Sequence, residues 1–252
     1  MKPGLKDEFI SKWNRHFGDS ELPLAVFYSD DYEVELEDGE TRSHSCVIEE
    51  LSEARRGETL ALNAGNIGCR GGKRYLGFSQ DIGGEDFEHF LSYGIPGKVD
   101  GERYKKSPEL VRKSMGFAPP LVAPKSAIVF KRWDKLSSRD DPEVVVFFAT
   151  ADVLSGLFTL ANFDEAEPDG VICPFGSGCS SIVYHPYAEH GSSRPRCVIG
   201  MFDISARPYV DEGVLTFAAP MSKFERMVDN MDESFLITDS WSVLRKTRDK
   251  SL

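Results

Sequence analysis

The sequence predicts an α+β fold: mixed or antiparallel sheets with short helices, arranged as two pseudo-repeated halves packed as one globular unit. Three observations lead there. A proline-led run of β-branched and aromatic residues occurs twice, as Leu22-Pro23-Leu24-Ala25-Val26-Phe27-Tyr28 and as Asp141-Pro142-Glu143-Val144-Val145-Val146-Phe147-Phe148. After each run come an apolar helical pattern and then a Gly-Cys step among small residues, Gly68-Cys69-Arg70-Gly71-Gly72 and Ser177-Gly178-Cys179-Ser180-Ser181. Elsewhere strands alternate with short helices and hairpin-like turns, which disfavours a doubly wound parallel sheet. The paired prolines lie 119 residues apart and the paired Gly-Cys steps 110 apart; the acidic stretch Asp30 to Glu40 absorbs the difference as a loop.

Taken in order, Phe9, Trp13 and Phe17 recur every four residues, so residues 6–17 are expected to form an amphipathic helix ended by Gly18. The first strand follows at 22–28. Ser45 is placed to cap a helix reaching Arg56, with Val47, Leu51 and Ala54 inward and Gly57 at its end. Residues 59–63 and 74–78 read as short strands, and 86–93 as a short helix. Ser107-Pro108-Glu109 starts another helix, with a hydroxyl cap and proline in the first turn. Strands are expected at 127–130, 144–148, 198–202 and 214–217. Val153, Leu154, Leu157 and Ala161 mark a helix between the second and third of these, and Ser222-Lys223-Phe224-Glu225 reads as a capping box opening the last helix. The expected organisation is an N-terminal helix (1–21), a first half (22–136) and a second half (137–252), divided at the polar stretch Ser137 to Asp141.

A chain of 252 residues buries a sizeable core, and 40% hydrophobic with 28% charged residues is ordinary for a globular protein. The net charge of −11 argues against a nucleic-acid partner, which needs a basic face to displace counterions. The longest apolar run, Val144 to Ala149, is far too short to span a bilayer, so no membrane partner is expected. The N-terminal residues lack the apolar core of a secretory signal, and a cytoplasmic location is the expectation. Five cysteines, an odd number, then stand as thiols or metal ligands rather than disulfides.

The cysteine loops carry the candidate chemistry. In Cys69-Arg70-Gly71-Gly72-Lys73-Arg74 the adjacent glycines permit positive φ, and converging N–H groups with Arg70 and Lys73 suit an anion. The competing reading is a plain Gly-Gly hairpin turn. In Cys173-Pro174-Phe175-Gly176-Ser177-Gly178-Cys179 two thiols five residues apart are spaced to meet one metal ion or cluster, though the spacing is neither a zinc ribbon nor a ferredoxin run. The expected metal ligands are Cys69, Cys173 and Cys179, with Cys46 as a fourth, holding an iron–sulfur cluster or zinc. Against this, a free cysteine is commonly just a small core residue, and Cys197 is assigned to the core. Ser177, Gly178, Asp203 and Arg207 are the further ligand-binding candidates; an Asp203–Arg207 pair ordering a turn before Pro208 is the plain alternative. His185 and His190 lie in a proline-containing stretch that reads as a surface loop. His44 beside Cys46, and His89, have no clear partner. No nucleophile elbow, dinucleotide or phosphate-loop pattern is present.

Leu22-Pro23-Leu24-Ala25-Val26, Cys69-Arg70-Gly71-Gly72 with Leu76-Gly77, Gly178-Cys179 and Arg207-Pro208 together make the chain resemble the prokaryotic family called domain of unknown function 169. The resemblance runs from about residue 20 to about residue 240. It implies a soluble prokaryotic protein of about this length and supplies no catalytic residue. Three functions therefore stand side by side. One is a metal or iron–sulfur protein with its cysteines at the interface of the halves. Another is a metal-free binder or enzyme for a small anion with a reactive cysteine. The third is a structural or partner-binding protein.

Overall fold

Helix α1 (Leu5–Phe17) buries the stripe Leu5, Phe9, Trp13 and Phe17 on one face of the sheet that makes up the centre of this computed structural model, which describes residues 1–32, 45–81 and 84–249. The loop expected over residues 30–40 lies outside the described residues from position 33 on, as does His44. The strands are β1 (Leu24–Ser29), β2 (Thr59–Leu62), β3 (Ala127–Arg132), β4 (Val144–Ala149), β5 (Val171–Ile172), β6 (Cys197–Gly200) and β7 (Leu215–Pro220). They form one mixed sheet in the order β2-β3-β1-β4-β7-β6-β5, antiparallel except for the β5–β6 pair. The class is thus mixed α and β, as the alternation of strands and short helices predicts.

Both faces are covered. On one lie α1, α6 (Ala151–Ala161), α8 (Met221–Asn230) and α9 (Asp239–Asp249), around Phe9, Trp13, Trp133, Phe147, Phe217 and Phe224. The other face carries α2 (Val47–Arg56), α3 (Arg70–Tyr75) and a helix that starts at residue 178 and ends as α7 (His185–His190). Strand side chains alternate between the two cores: Leu24, Val26, Val144 and Val146 face α2, whereas Ala25, Phe27, Val145 and Phe147 face α1. Between β2 and β3 the chain makes an excursion containing α4 (Gly84–Phe90) and α5 (Pro108–Gly116). The Ser107 hydroxyl caps α5, accepting the Leu110 N–H at 3.4 Å.

The predicted repeat does not hold. A two-fold axis exchanging the antiparallel neighbours β1 and β4 would keep each sheet face where it is, so the helices following them would share a face. Instead α2 packs on one face and α6 on the other. The next strands also differ: β2 pairs antiparallel with β3, while β5 is an edge strand parallel to β6. Symmetry survives only in the central four strands. Leu24 to Ser29 pairs with β3 first residue to last, as β4 does with β7, and the N–H groups of Trp133 and Met221 close the two ladders onto Pro23 and Glu143, each at 2.9 Å.

Three local expectations also change. Residues 74–78, read as a strand, belong to α3 and the turn after it, where Phe78 N–H returns to the Lys73 carbonyl at 2.8 Å. Residues 184–190, read as a loop because of Pro186, are helical. A π-helical turn at Ser180–Tyr184 precedes them, and Pro186 sits in the first turn of α7, where its missing N–H costs little. Helix α8 starts at Met221, so Ser222 lies inside it rather than capping it.

Candidate functional site

Two glycines determine how the cysteine loops meet α2. A Cβ at Gly72 would stand 2.7 Å from the Val47 methyl, and one at Gly178 would stand 3.0 Å from Ile48. With no side chain in the way, the beginning of α3 and the beginning of the 178–190 helix both press against the first turn of α2. The residue leading into each of the first two helices is a cysteine: Cys46 precedes α2 and Cys69 precedes α3. Cys179 lies in the opening turn of the third. Cys69 Sγ accepts the Gly72 N–H at 3.4 Å, and the Ile48 and Glu49 N–H groups favour the ionised form of Cys46.

Cys46 and Cys179 respond to the charges placed beside them. Burial is the main cause raising the Cys179 thiol well above its ordinary range, followed by the charges that Cys69, Cys46 and Asp203 would carry. Burial also raises Cys46; its N–H partners oppose this, and Cys69 and Asp203 add to it. Cys46 and Cys179 are therefore held as neutral thiols near pH 7. Cys179 is buried, while Cys46 and Cys69 are half-buried.

Asp203 ties this corner together. One carboxylate oxygen accepts the Gly178 N–H at 3.0 Å, one residue before Cys179. The other accepts the Ser205 N–H and hydroxyl at 3.1 and 2.8 Å and the Tyr104 hydroxyl at 3.4 Å. Tyr104 brings the α4–α5 excursion onto the site. Met201, which abuts Gly178, takes a φ of 71°, a left-handed conformation uncommon for a residue with a side chain, as the chain leaves β6 toward Asp203. Tyr75 and Tyr184 pack edge to face at 5.8 Å beside the cluster, and the Arg74 guanidinium is anchored on the Ala118 carbonyl at 3.1 Å.

Of the four expected metal ligands, Cys46, Cys69 and Cys179 come together and Cys173 does not. Cys173 is exposed, and burial alone moves its thiol. Cys197 is a core residue, as expected, on the opposite face of the sheet with its sulfur 3.8 Å from Met227 Sδ. Among the described residues no three His, Cys, Asp or Glu side chains stand close enough to hold one metal ion as they lie. The positive-φ turn expected at Gly71-Gly72 does not form. Gly71 and Gly72 open α3 in helical geometry rather than forming a positive-φ turn, and Arg70 points out to solvent. Arg207 does not reach the site; its guanidinium is spent on the carbonyls of Val214 and Asp211. Lys73 is half-buried on α3. Ser177 is structural at the start of its helix, its hydroxyl accepting the Ser180 N–H at 3.2 Å. Between His185 and His190, Glu189 pairs with Arg196. Tyr104, 99 residues from Asp203, and Tyr75 were not visible as site residues, because no motif links them to it.

A family model described as DUF169, uncharacterised ArCR, matches residues 15–230. No curated protein and no solved structure matches the chain. Among the described residues no helix is long and apolar enough to cross a membrane.

Proposed function

The chain belongs to the domain of unknown function 169 family, and from that premise we propose that it is a soft-metal protein whose centre is held by Cys46, Cys69 and Cys179. One observation carries this reading: thiols from three separate segments lie near a single carboxylate, in segments that pack on α2 at glycines where a side chain would crowd it. Thiolates prefer zinc, monovalent copper and iron–sulfur clusters. N–H groups directed at Cys46 and Cys69 suit sulfurs that carry negative charge once a metal has displaced their protons. Loading requires the thiols to rotate toward a common point, since they do not stand as a finished cage.

That same lack of a finished cage favours a second reading, a metal-free site in which Cys69 reacts with an electrophile or binds a small anion. In that reading Cys46 and Cys179, whose thiols burial pushes up, are not the nucleophile. Anaerobic purification with metal and sulfide analysis separates the two. Under the metal reading, metal co-purifies with the protein and is lost in Cys46→Ser, Cys69→Ser and Cys179→Ser, while Cys173→Ser retains it. A metal-free protein with one thiol that reacts rapidly with iodoacetamide supports the second reading instead.

A further inference from the structure

On the helical face of the sheet away from α2, the end of α1 and one side of α9 line a pocket of about 260 Å3. We infer that this pocket binds a small phosphate monoester, at a site separate from the cysteine corner. Two hydrogen bonds build it. A helix ends without partners for its last carbonyls. Here Trp241 Nε1 donates to the His16 carbonyl and Arg245 Nη1 to the Arg15 carbonyl, each at 2.8 Å. Gly18, at a φ of 64°, ends α1 and leaves room for the Arg245 guanidinium, since a Cβ there would stand 2.5 Å from Nη2. Residues four apart share a helix side, so Trp241 with Arg245, and Ser242 with Lys246, turn one side of α9 to the pocket.

Charge indicates what enters. The chain carries a net charge of −11, yet the pocket is lined by Arg15, Arg245 and Lys246 and by no carboxylate. Asp232, beside it, is already engaged. One of its oxygens accepts from His16 Nε2 at 2.8 Å and from Arg15 Nη1 at 3.0 Å, and Lys12 stands 3.6 Å from the other. Among the described residues no carboxylate pairs with Arg245 or Lys246. Arg15 is 60% exposed, so its pair with Asp232 is weak and leaves further N–H groups for a ligand. Two guanidinium groups and an ammonium suit a doubly charged oxyanion, because paired guanidinium N–H groups match two phosphate oxygens at once. The Ser242 hydroxyl adds a hydrogen bond. Leu236 and Trp241, whose N–H is already used, give the pocket an apolar wall. Free phosphate would leave that wall uncovered, whereas the carbon body of an ester covers it. The volume lies below that of sites for drug-sized ligands, so the ester is small.

Isothermal titration calorimetry of the full chain with phenyl phosphate and with inorganic phosphate tests this, at about 0.15 M salt so that exposed charges are screened. Phenyl phosphate should saturate a single site and bind about tenfold or more tighter than inorganic phosphate, through the area its ring buries. The double variant Arg15→Gln/Lys246→Gln changes two exposed side chains. It should keep the thermal midpoint and weaken phenyl phosphate about tenfold or more, the loss of charged hydrogen bonds. Lys125→Gln, exposed and outside the pocket, should change neither quantity. No saturable binding, or an affinity unchanged in the double variant, would overturn the inference. So would an equal loss in Lys125→Gln, which would mean attraction to surface charge alone. Equal affinity for inorganic phosphate would overturn the assignment to an ester.

Discussion

Gly178 illustrates how a single residue makes this site. Its missing side chain lets the Cys179 segment rest on Ile48 at a separation a Cβ would reduce to 3.0 Å, and its N–H is the one Asp203 accepts. Gly178→Val should therefore lower stability by about 1–3 kcal/mol through overpacking and push Cys179 away from Cys46 and Cys69. The paired measurement is thermal unfolding with cobalt(II) titration; an unchanged midpoint with normal cobalt binding would refute this account of the glycine. At Glu165 the chemistry is electrostatic. Its hydrogen bond to the fully buried Lys223, supported by Arg194 and Arg226, lowers its carboxyl from the usual 4.5 to about 2. A carboxyl depressed on folding contributes stability that is complete above about pH 4.5 and is lost as pH falls toward 2. The amount is on the order of 3 kcal/mol. Urea unfolding of wild type and Glu165→Gln should show wild type losing more stability than the variant between pH 6 and pH 3; parallel pH profiles would rule this out.

At the scale of elements, the first helix is the most completely determined. Phe9 is 1% exposed and packs within 6.2 Å, centre to centre, of the rings of Trp13, Trp133, Phe147 and Phe224. Phe9→Ala should cost about 3–5 kcal/mol, read as a fall in the urea midpoint. A loss below about 1 kcal/mol would mean that the helix is not integral to the core. The four-residue spacing of the α1 aromatics made this helix legible without any structure, and the Ser107-Pro108 start did the same for α5. Residues 70–78 and 178–190 were misread for a common reason. Both are short helices governed by how their first turns dock, and their Gly, Ser and Pro residues have poor helical propensity. Contacts with α2 outweigh that propensity: Gly72 and Gly178 are favoured there for close approach, not for flexibility.

For the molecule as a whole, the sheet is the unit of stability. β1 and β4 pair in its centre, and each core mixes residues from both sides of position 137: Phe9, Val129 and Trp133 with Phe147, Phe217 and Phe224 on one face, Leu51 and Phe130 with Ile182 and Val198 on the other. A chain limited to residues 137–252 should accordingly fail to fold cooperatively, as followed by circular dichroism and limited proteolysis. A protease-resistant half with a sharp transition would show that the halves are independent. The sequence by itself determined the mixed class, most strands, the aromatic stripe of α1 and which segments carry chemistry, because periodicity and turn residues act locally. It also placed Cys46, Cys69, Cys179 and Asp203 among the candidates. Only the tertiary structure decided which candidates meet. The face on which each helix packs depends on how its connection crosses the sheet, which no local pattern encodes. That choice put α2 and α6 on opposite faces and ended the repeat. It also gathered three cysteines on the α2 side and left Cys173 in solvent and Cys197 across the sheet.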